Sequence, residues 1–297
     1  MTRRHGKIPF EPRALGLDSD LDYCLDQLRR LDRDRYLTVL AAPADAAADL
    51  AVLYALNLEL AIIRDSVSEP MLARIRLQWW REAVTEILDG KPPRRHAVLT
   101  PLAALAARRP LDRARIERMI EAREREIDDE PPADMDALLA HAEDTSVSLL
   151  ALAAAAAGLD PEAQEVAAVI RHVGIGFALA GTARATLHLA GRRRTMLPAA
   201  LLARHGVSLD RLYDLKPQPE LSRAIAEIAA LGRRHVEDAK RHRAPAGLLP
   251  ALRIGTLARA QLARLERRGY DLFDPRSIEA APLDIWRIAG QKLIGSW

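Results

Sequence analysis

GIGFALAGTARATLHLAGRRRTMLP, residues 174–198, is the stretch on which the fold turns. Apolar and small residues run without a proline until the last position. Gly191 and Pro198 bracket a turn that carries Arg192, Arg193 and Arg194. Glycine and proline are the strongest local punctuation in a chain, so a long helix is expected over 161–190. A second stretch, LYALNLELAIIRDSVSE (residues 53–69), has the same helical character. Pro43 suits the first turn of its helix, Asp45 lies near the positive end of the backbone dipole, and the helix is expected to run towards Arg64.

Outward from these two stretches the chain reads as helix after helix. An acidic stretch over 18–26 begins one, and another over 34–43 ends at proline. Pro70 opens a helix in which Met71, Ile75, Trp79 and Val84 or Ile87 form an apolar stripe, stopped by Gly90 and Pro92–Pro93. Further helices are expected over 99–107, 112–126, 135–158, 222–243, 246–267 and 283–293. DDEPPADMD (128–136) is the most loop-like segment. No internal repeat and no long linker divides the 297 residues, so one domain over 31–297 is expected, preceded by an entry segment over 1–30.

Composition agrees. Hydrophobic residues make up 49% and charged residues 29%, enough for a sizeable core in a globular chain. Aromatics are scarce at 4%, while Ala, Leu, Arg and Glu, all strong helix formers, are abundant. The expected class is all-α. The formal net charge of +3 is spread over 44 basic and 41 acidic side chains, which does not describe a nucleic-acid groove. One cysteine, Cys24, excludes an internal disulfide and suits a reducing compartment. MTRRHGKIPFEPR lacks the apolar core of a secretory signal, and Glu11 with two prolines argues against a transit peptide. No uncharged apolar run reaches the roughly 18 residues of a spanning helix.

The two quoted stretches resemble the aspartate-rich motifs of the squalene/phytoene synthase family, and the resemblance extends from about residue 30 onward. LYAL (53–56) is similar to that family's Leu-Tyr-Ala-Phe opening, RLQWWRE (76–82) to its Arg-Leu-x-x-Trp segment, and Arg184, Gly191, Arg194, Leu197 and Pro198 occupy expected places. In the family each motif carries a D-x-x-x-D pair. Here the first pair falls on Ala61 and Asp65 and the second on Ala185 and Leu189; Ile62, Ala178 and Gly181 also depart from the family pattern. ELAIIRDSVSE (59–69), residues 184–208, YDLFDP (270–275) and Trp297 are more similar to a degenerate branch of that superfamily, the complex I assembly factors of mitochondria and their bacterial relatives.

The resemblance implies an all-α, single-domain bundle of the class I isoprenoid (trans-prenyl) synthase type with a central cavity. It also implies a loss. Carboxylates four apart on a helix share a face and a cation, and magnesium needs hard oxygen ligands together with substrate phosphates. Alanine and leucine supply none, so neither the ancestral Mg2+ nor any other cofactor is expected. The branch implies complex I subunits or assembly intermediates as partners, in the bacterial cytoplasm or at the cytoplasmic face of the inner membrane. Two alternatives stay open: an active head-to-head prenyltransferase on farnesyl or geranylgeranyl diphosphate, and an isoprenoid or lipid binding protein.

The candidate cavity residues are Tyr54, Glu59, Asp65, Arg81, Arg184, His188 and Arg194, with no catalytic residue and no metal ligand assigned. Glu59 and Asp65 either mark a relic pocket with a charge pair to Arg64, Arg81 or Arg184, or form a buried pair that fixes helix register, costing about 3–5 kcal/mol to break. Arg192, Arg193 and Arg194 match phosphate oxygens in geometry, or else are a solvated turn. Other D-x-x-x-D spacings (Asp18/Asp22, Asp22/Asp26, Asp45/Asp49, Asp210/Asp214) lie away from both motifs, and the eight histidines show no zinc-ligand spacing. PLDIWRIAGQKLIGSW (282–297) is either an interfacial membrane or partner-docking helix, or a lid on the bundle.

Overall fold

A computed structural model describes residues 19–279 and 281–297, and among these every regular element is a helix. The order is α1 (Ser19–Leu31), α2 (Arg33–Leu40), α3 (Ala44–Ala61), α4 (Pro70–Leu88), α5 (Leu99–Arg108), α6 (Arg113–Arg125), α7 (Met135–Ala142), a π-helical turn (Glu143–Val147) and α8 (Ser148–Ala156). There follow α9 (Gln164–Ala190), α10 (Ala199–His205), α11 (Leu209–Tyr213), α12 (Pro219–Ala239), a 3-10 turn leading into α13 (Leu249–Arg267), α14 (Pro275–Ile278) and α15 (Asp284–Leu293). The entry segment lies outside the described residues up to position 18; from Ser19 it is α1, which buries Leu21, Cys24, Leu25 and Leu28 and packs chiefly on α3.

Local chemistry sets most boundaries. Proline occupies the first turn of α4, α12 and α13, where its missing N–H costs nothing. Asp32, Asp112, Asp134 and Asp274 cap α2, α6, α7 and α14, each side chain accepting a backbone N–H of the first turn. Gly206 ends α10 with φ +70°, the left-handed conformation that glycine adopts freely.

The 27-residue α9 is the axis of the bundle, packed against α12, α13, α8 and the π-helical turn. Two glycines permit these approaches. A Cβ on Gly174 would lie 2.8 Å from Val147 Cγ2, and one on Gly176 would lie 2.5 Å from Val236 Cγ2. α9 is also the one helix among the described residues long and apolar enough to cross a membrane, but 61% of that apolar window is buried within the protein.

The helix expected over 135–158 runs without a break from Met135 to Ala156, but at Glu143–Val147 its hydrogen bonds widen to the π pattern, and Ser148 Oγ donates to the Glu143 carbonyl. One expectation is corrected. On α4 the buried row is Ala73, Leu77, Trp80, Val84 and Ile87, whereas Met71 and Ile75 are 65% and 56% exposed. That helix carries two apolar rows, and the one through Ala73 and Leu77 is the buried one, with α5 and α6 as its neighbours.

Candidate functional site

Residues from α2, the end of α3, α7, the π-helical turn and α9 enclose a cleft of about 590 Å³. Ala61 and Asp65 line it from the first motif, and Ala185 and Leu189 from the second, so the two stretches do face one another. Ala178 and Gly181 add further apolar wall.

Four carboxylates reach this cleft: Asp32, Asp34, Asp65 and Glu126. Each is held by arginine. Asp32 accepts from Arg35 Nη1 at 2.6 Å. Asp34, only 3% exposed, accepts from Arg184 Nη1 at 2.7 Å and Gln261 Nε2 at 2.6 Å. Asp65 accepts from Arg194 Nη1 at 2.7 Å, with Arg192 Nε 3.9 Å away. Glu126 accepts from Arg123 Nη1 at 2.6 Å and stands 3.1 Å from His141 Nε2. Burial pushes the Glu126 carboxyl up, but Arg123 and His141 outweigh it and hold the group down at about 2.

At the rim Arg194 bridges two acids, Asp65 and Asp129, the second at 2.6 Å. Arg64 Nε closes the network on Asp129 at 3.1 Å. Beneath the cleft the Arg35 guanidinium lies 4.9 Å from the Phe177 ring and 5.7 Å from that of Tyr54, within cation–π range.

Of the seven residues picked from sequence, Asp65, Arg184, His188 and Arg194 line the cleft; Tyr54, Glu59 and Arg81 do not. Tyr54 is buried below the floor behind Arg35, and its phenol is raised to about 12 chiefly by burial. Glu59 points away, because two positions along a helix turn a side chain roughly 200° from Ala61. It accepts from the Tyr23 hydroxyl at 2.9 Å and lines a separate hollow with Trp79 and Trp80. Burial, then the Glu59 hydrogen bond, raises Tyr23 to about 12. Arg81 ties α4 to α6 through Glu117 and Glu124, and the Glu124 hydrogen bond foremost raises its pKa further.

The expected partners of Asp65 are therefore corrected. Arg64, Arg81 and Arg184 are taken by Asp129, Glu117 with Glu124, and Asp34, and the turn arginines serve Asp65 instead. Nor is that turn uniformly solvated. Arg194 is 12% exposed in its side chain, Arg193 stacks 5.3 Å from the Tyr213 ring, and Arg192 Nη1 lies 2.9 Å from His188 Nε2. The stray D-x-x-x-D members lie elsewhere: Asp26 with Arg29, Asp49 with Arg108, Asp214 with Lys216. Asp18 lies outside the described residues. Sequence reasoning missed Asp32, Asp34 and Glu126; the charged run Asp32–Arg35 was the only local hint of the first two.

For a magnesium cluster the donor set fits poorly. Asp34 and Asp65 stand on different walls, each neutralised, and among the described residues no group of three His, Cys, Asp or Glu side chains converges to hold a metal ion. The arrangement is a mostly arginine-closed cleft with an apolar centre.

An all-α bundle with its cleft between two such motifs defines the class, and the chain belongs to the squalene/phytoene synthase family, whose model matches residues 28–287. It is 31% identical over 261 residues to NADH dehydrogenase (ubiquinone) complex I, assembly factor 6 of Rattus norvegicus, covering 87% of this chain and 77% of that protein. Among solved structures it is similar to a dehydrosqualene synthase, with a TM-score of 0.78 at 16% identity over 95% of this chain and 97% of the other. A squalene synthase, HpnC from Alicyclobacillus acidocaldarius, superimposes with a TM-score of 0.71 at 18% identity over 88% and 97% of the two chains. The fold is thus of the isoprenoid synthase type.

Proposed function

We propose that this chain is a non-catalytic protein of the squalene/phytoene synthase fold that assists assembly of respiratory complex I, acting in the bacterial cytoplasm or at the cytoplasmic face of the inner membrane. One observation carries the non-catalytic half. Where family members would hold magnesium between facing aspartates, this cleft offers Ala61, Ala185, Leu189 and an Asp65 already neutralised by Arg194. Diphosphate departure needs a cation to stabilise the leaving oxygens, and methyl groups coordinate nothing. The assembly half is supported by the relative of Rattus norvegicus, which carries that role in its name and aligns over most of both chains.

Two measurements test the halves separately. Incubated with labelled farnesyl or geranylgeranyl diphosphate and Mg2+, the purified chain should release no pyrophosphate; metal-dependent release would defeat the non-catalytic reading. Deletion of the gene should lower NADH:ubiquinone oxidoreductase activity in membranes, and an unchanged complex I level would remove the assembly role. The cleft's volume and its Leu58, Phe177, Leu189 and Met196 wall support a second reading, an isoprenoid-like lipid held without metal. Native mass spectrometry of gently purified protein tests it, and an empty cleft counts against it.

A further inference from the structure

Helix α15 is apolar on the side that faces water. Its inner face is anchored: Ile288 is buried, and Asp284 accepts from Arg287 Nη1 at 2.8 Å and lies 3.4 Å from Arg264 Nη1 of α13. At 3.6 residues per turn, the opposite side carries Leu283, Trp286, Gly290 and Leu293, with Ile294 just beyond. Leu283 is 60% exposed, Trp286 74%, Leu293 87% and Ile294 73%. Adding Ile285, five of the eleven exposed large hydrophobic side chains among the described residues fall in these twelve positions. Scattered exposed apolar residues are ordinary; a contiguous stripe containing tryptophan marks a surface that meets something apolar.

The flanks say what that is. An open groove of about 540 Å³ between α13 and α15 presents Arg259, Arg267 and Arg287 beside the stripe. Arg259 and Arg267 make no ion pair among the described residues. The acids nearby are already held, Glu266 by Arg233 at 2.5 Å and Asp284 as above. An apolar face bordered by unpaired cations, with tryptophan at its centre, matches an anionic lipid surface: the stripe enters the acyl boundary and the arginines meet phosphate. A second copy fits less well, because a two-fold contact through this face brings the same unpaired cations together.

We infer that α15 is a peripheral docking surface for anionic phospholipid membranes, with Leu283, Trp286 and Leu293 entering the bilayer boundary and Arg259 and Arg267 facing the headgroups. The surface is distinct from the cleft, and its test in purified protein does not depend on the assembly role. The full chain is floated with phosphatidylcholine vesicles made with and without phosphatidylglycerol, at low and high salt. Flotation with the anionic vesicles is expected, weakened by salt, with brominated lipid quenching a fluorescence signal that Trp286→Phe removes. Trp286→Asp with Leu293→Asp should weaken binding about tenfold or more, since a charged side chain is costly in the acyl region; both positions face solvent, so the fold should survive by circular dichroism. Arg259→Glu with Arg267→Glu should erase the preference for phosphatidylglycerol. Failure to float with either vesicle, or flotation indifferent to these substitutions, overturns the inference. So does a dimer in sedimentation that Trp286→Asp dissociates, which would assign the face to a second copy.

Discussion

Arg194, in the turn after α9, donates to Asp65, just past the end of α3, at 2.7 Å, so one of the two motif stretches neutralises the other. The same guanidinium reaches Asp129 at 2.6 Å with its side chain 12% exposed. A carboxylate that would otherwise attract a cation is thereby converted into a brace between α3, the 126–129 loop and the end of α9. Arg194→Ala should destabilise the protein by about 1–2 kcal/mol, a discounted figure because both acids are about a third exposed. It should not create Mg2+ binding, since the facing positions stay alanine and leucine. Urea denaturation checks the first part and calorimetric titration with MgCl2 the second; heat of binding in this single variant would show that arginine alone blocks the site.

Asp34 is a stronger structural group. It is nearly inaccessible and joins α2 to α9 through Arg184 and to α13 through Gln261. Asp34→Ala leaves a guanidinium and a buried amide without an acceptor, with an expected loss of about 3 kcal/mol. Asp34→Asn, which keeps an oxygen acceptor but not the charge, should recover part of it. Equal losses in the two variants would mean that charge rather than hydrogen bonding sets the penalty.

Sequence carried the helices further than it carried the site. Pro43 and Pro70 announce where two helices begin, because proline acts on its own backbone within a turn, whereas α12 begins at Pro219, three residues before its expected start. α10, α11 and α14 are too short to display a period. The π-helical turn packs on α9 with Val147 against Gly174, a contact no local window contains. Asp65, Arg184, His188 and Arg194 could be placed in the cleft from the two stretches. Their partners could not: Asp34 pairs with a residue 150 positions away, Asp65 with one 129 away. Glu59 was misplaced for a simpler reason, its angle around α3.

Gly176 gives a sharp test of the central crossing. A methyl group there would sit 2.5 Å from Val236 Cγ2 and 3.1 Å from the Gly232 carbonyl oxygen, so α12 would have to move off α9. Gly176→Ala should cost about 1–3 kcal/mol through overpacking, exceeding the gain alanine brings to a helix. Pairing it with Val236→Ala should restore most of the loss. No recovery in the double variant would mean that the backbone contact with Gly232 governs the approach.

The same crossing holds a titrating pair. His172 Nδ1 of α9 lies 3.1 Å from His235 Nδ1 of α12, so one ring donates and the other accepts, and two fully protonated rings would set N–H against N–H. Burial, then the neighbouring His172, pushes His235 down to about 4; burial likewise lowers His172, with Asp238 opposing and Arg171 and His242 adding to it. An unfolded histidine titrates near 6.5. Between those values the unfolded chain takes up a proton that the folded one refuses, so stability must fall as pH drops from about 6.5 to about 4 and stay level above. Allowing for solvent screening of a half-buried pair, the fall attributable to His235 is about 1–2 kcal/mol. Glu126 acts in a lower window: its stabilisation is complete above the usual carboxylate range and is lost as pH falls towards about 2. Chemical denaturation at several pH values should therefore show two separate declines. His235→Asn should flatten the upper one and leave the lower one in place; an undiminished slope between pH 6.5 and 4 in that variant would assign the upper decline to other groups.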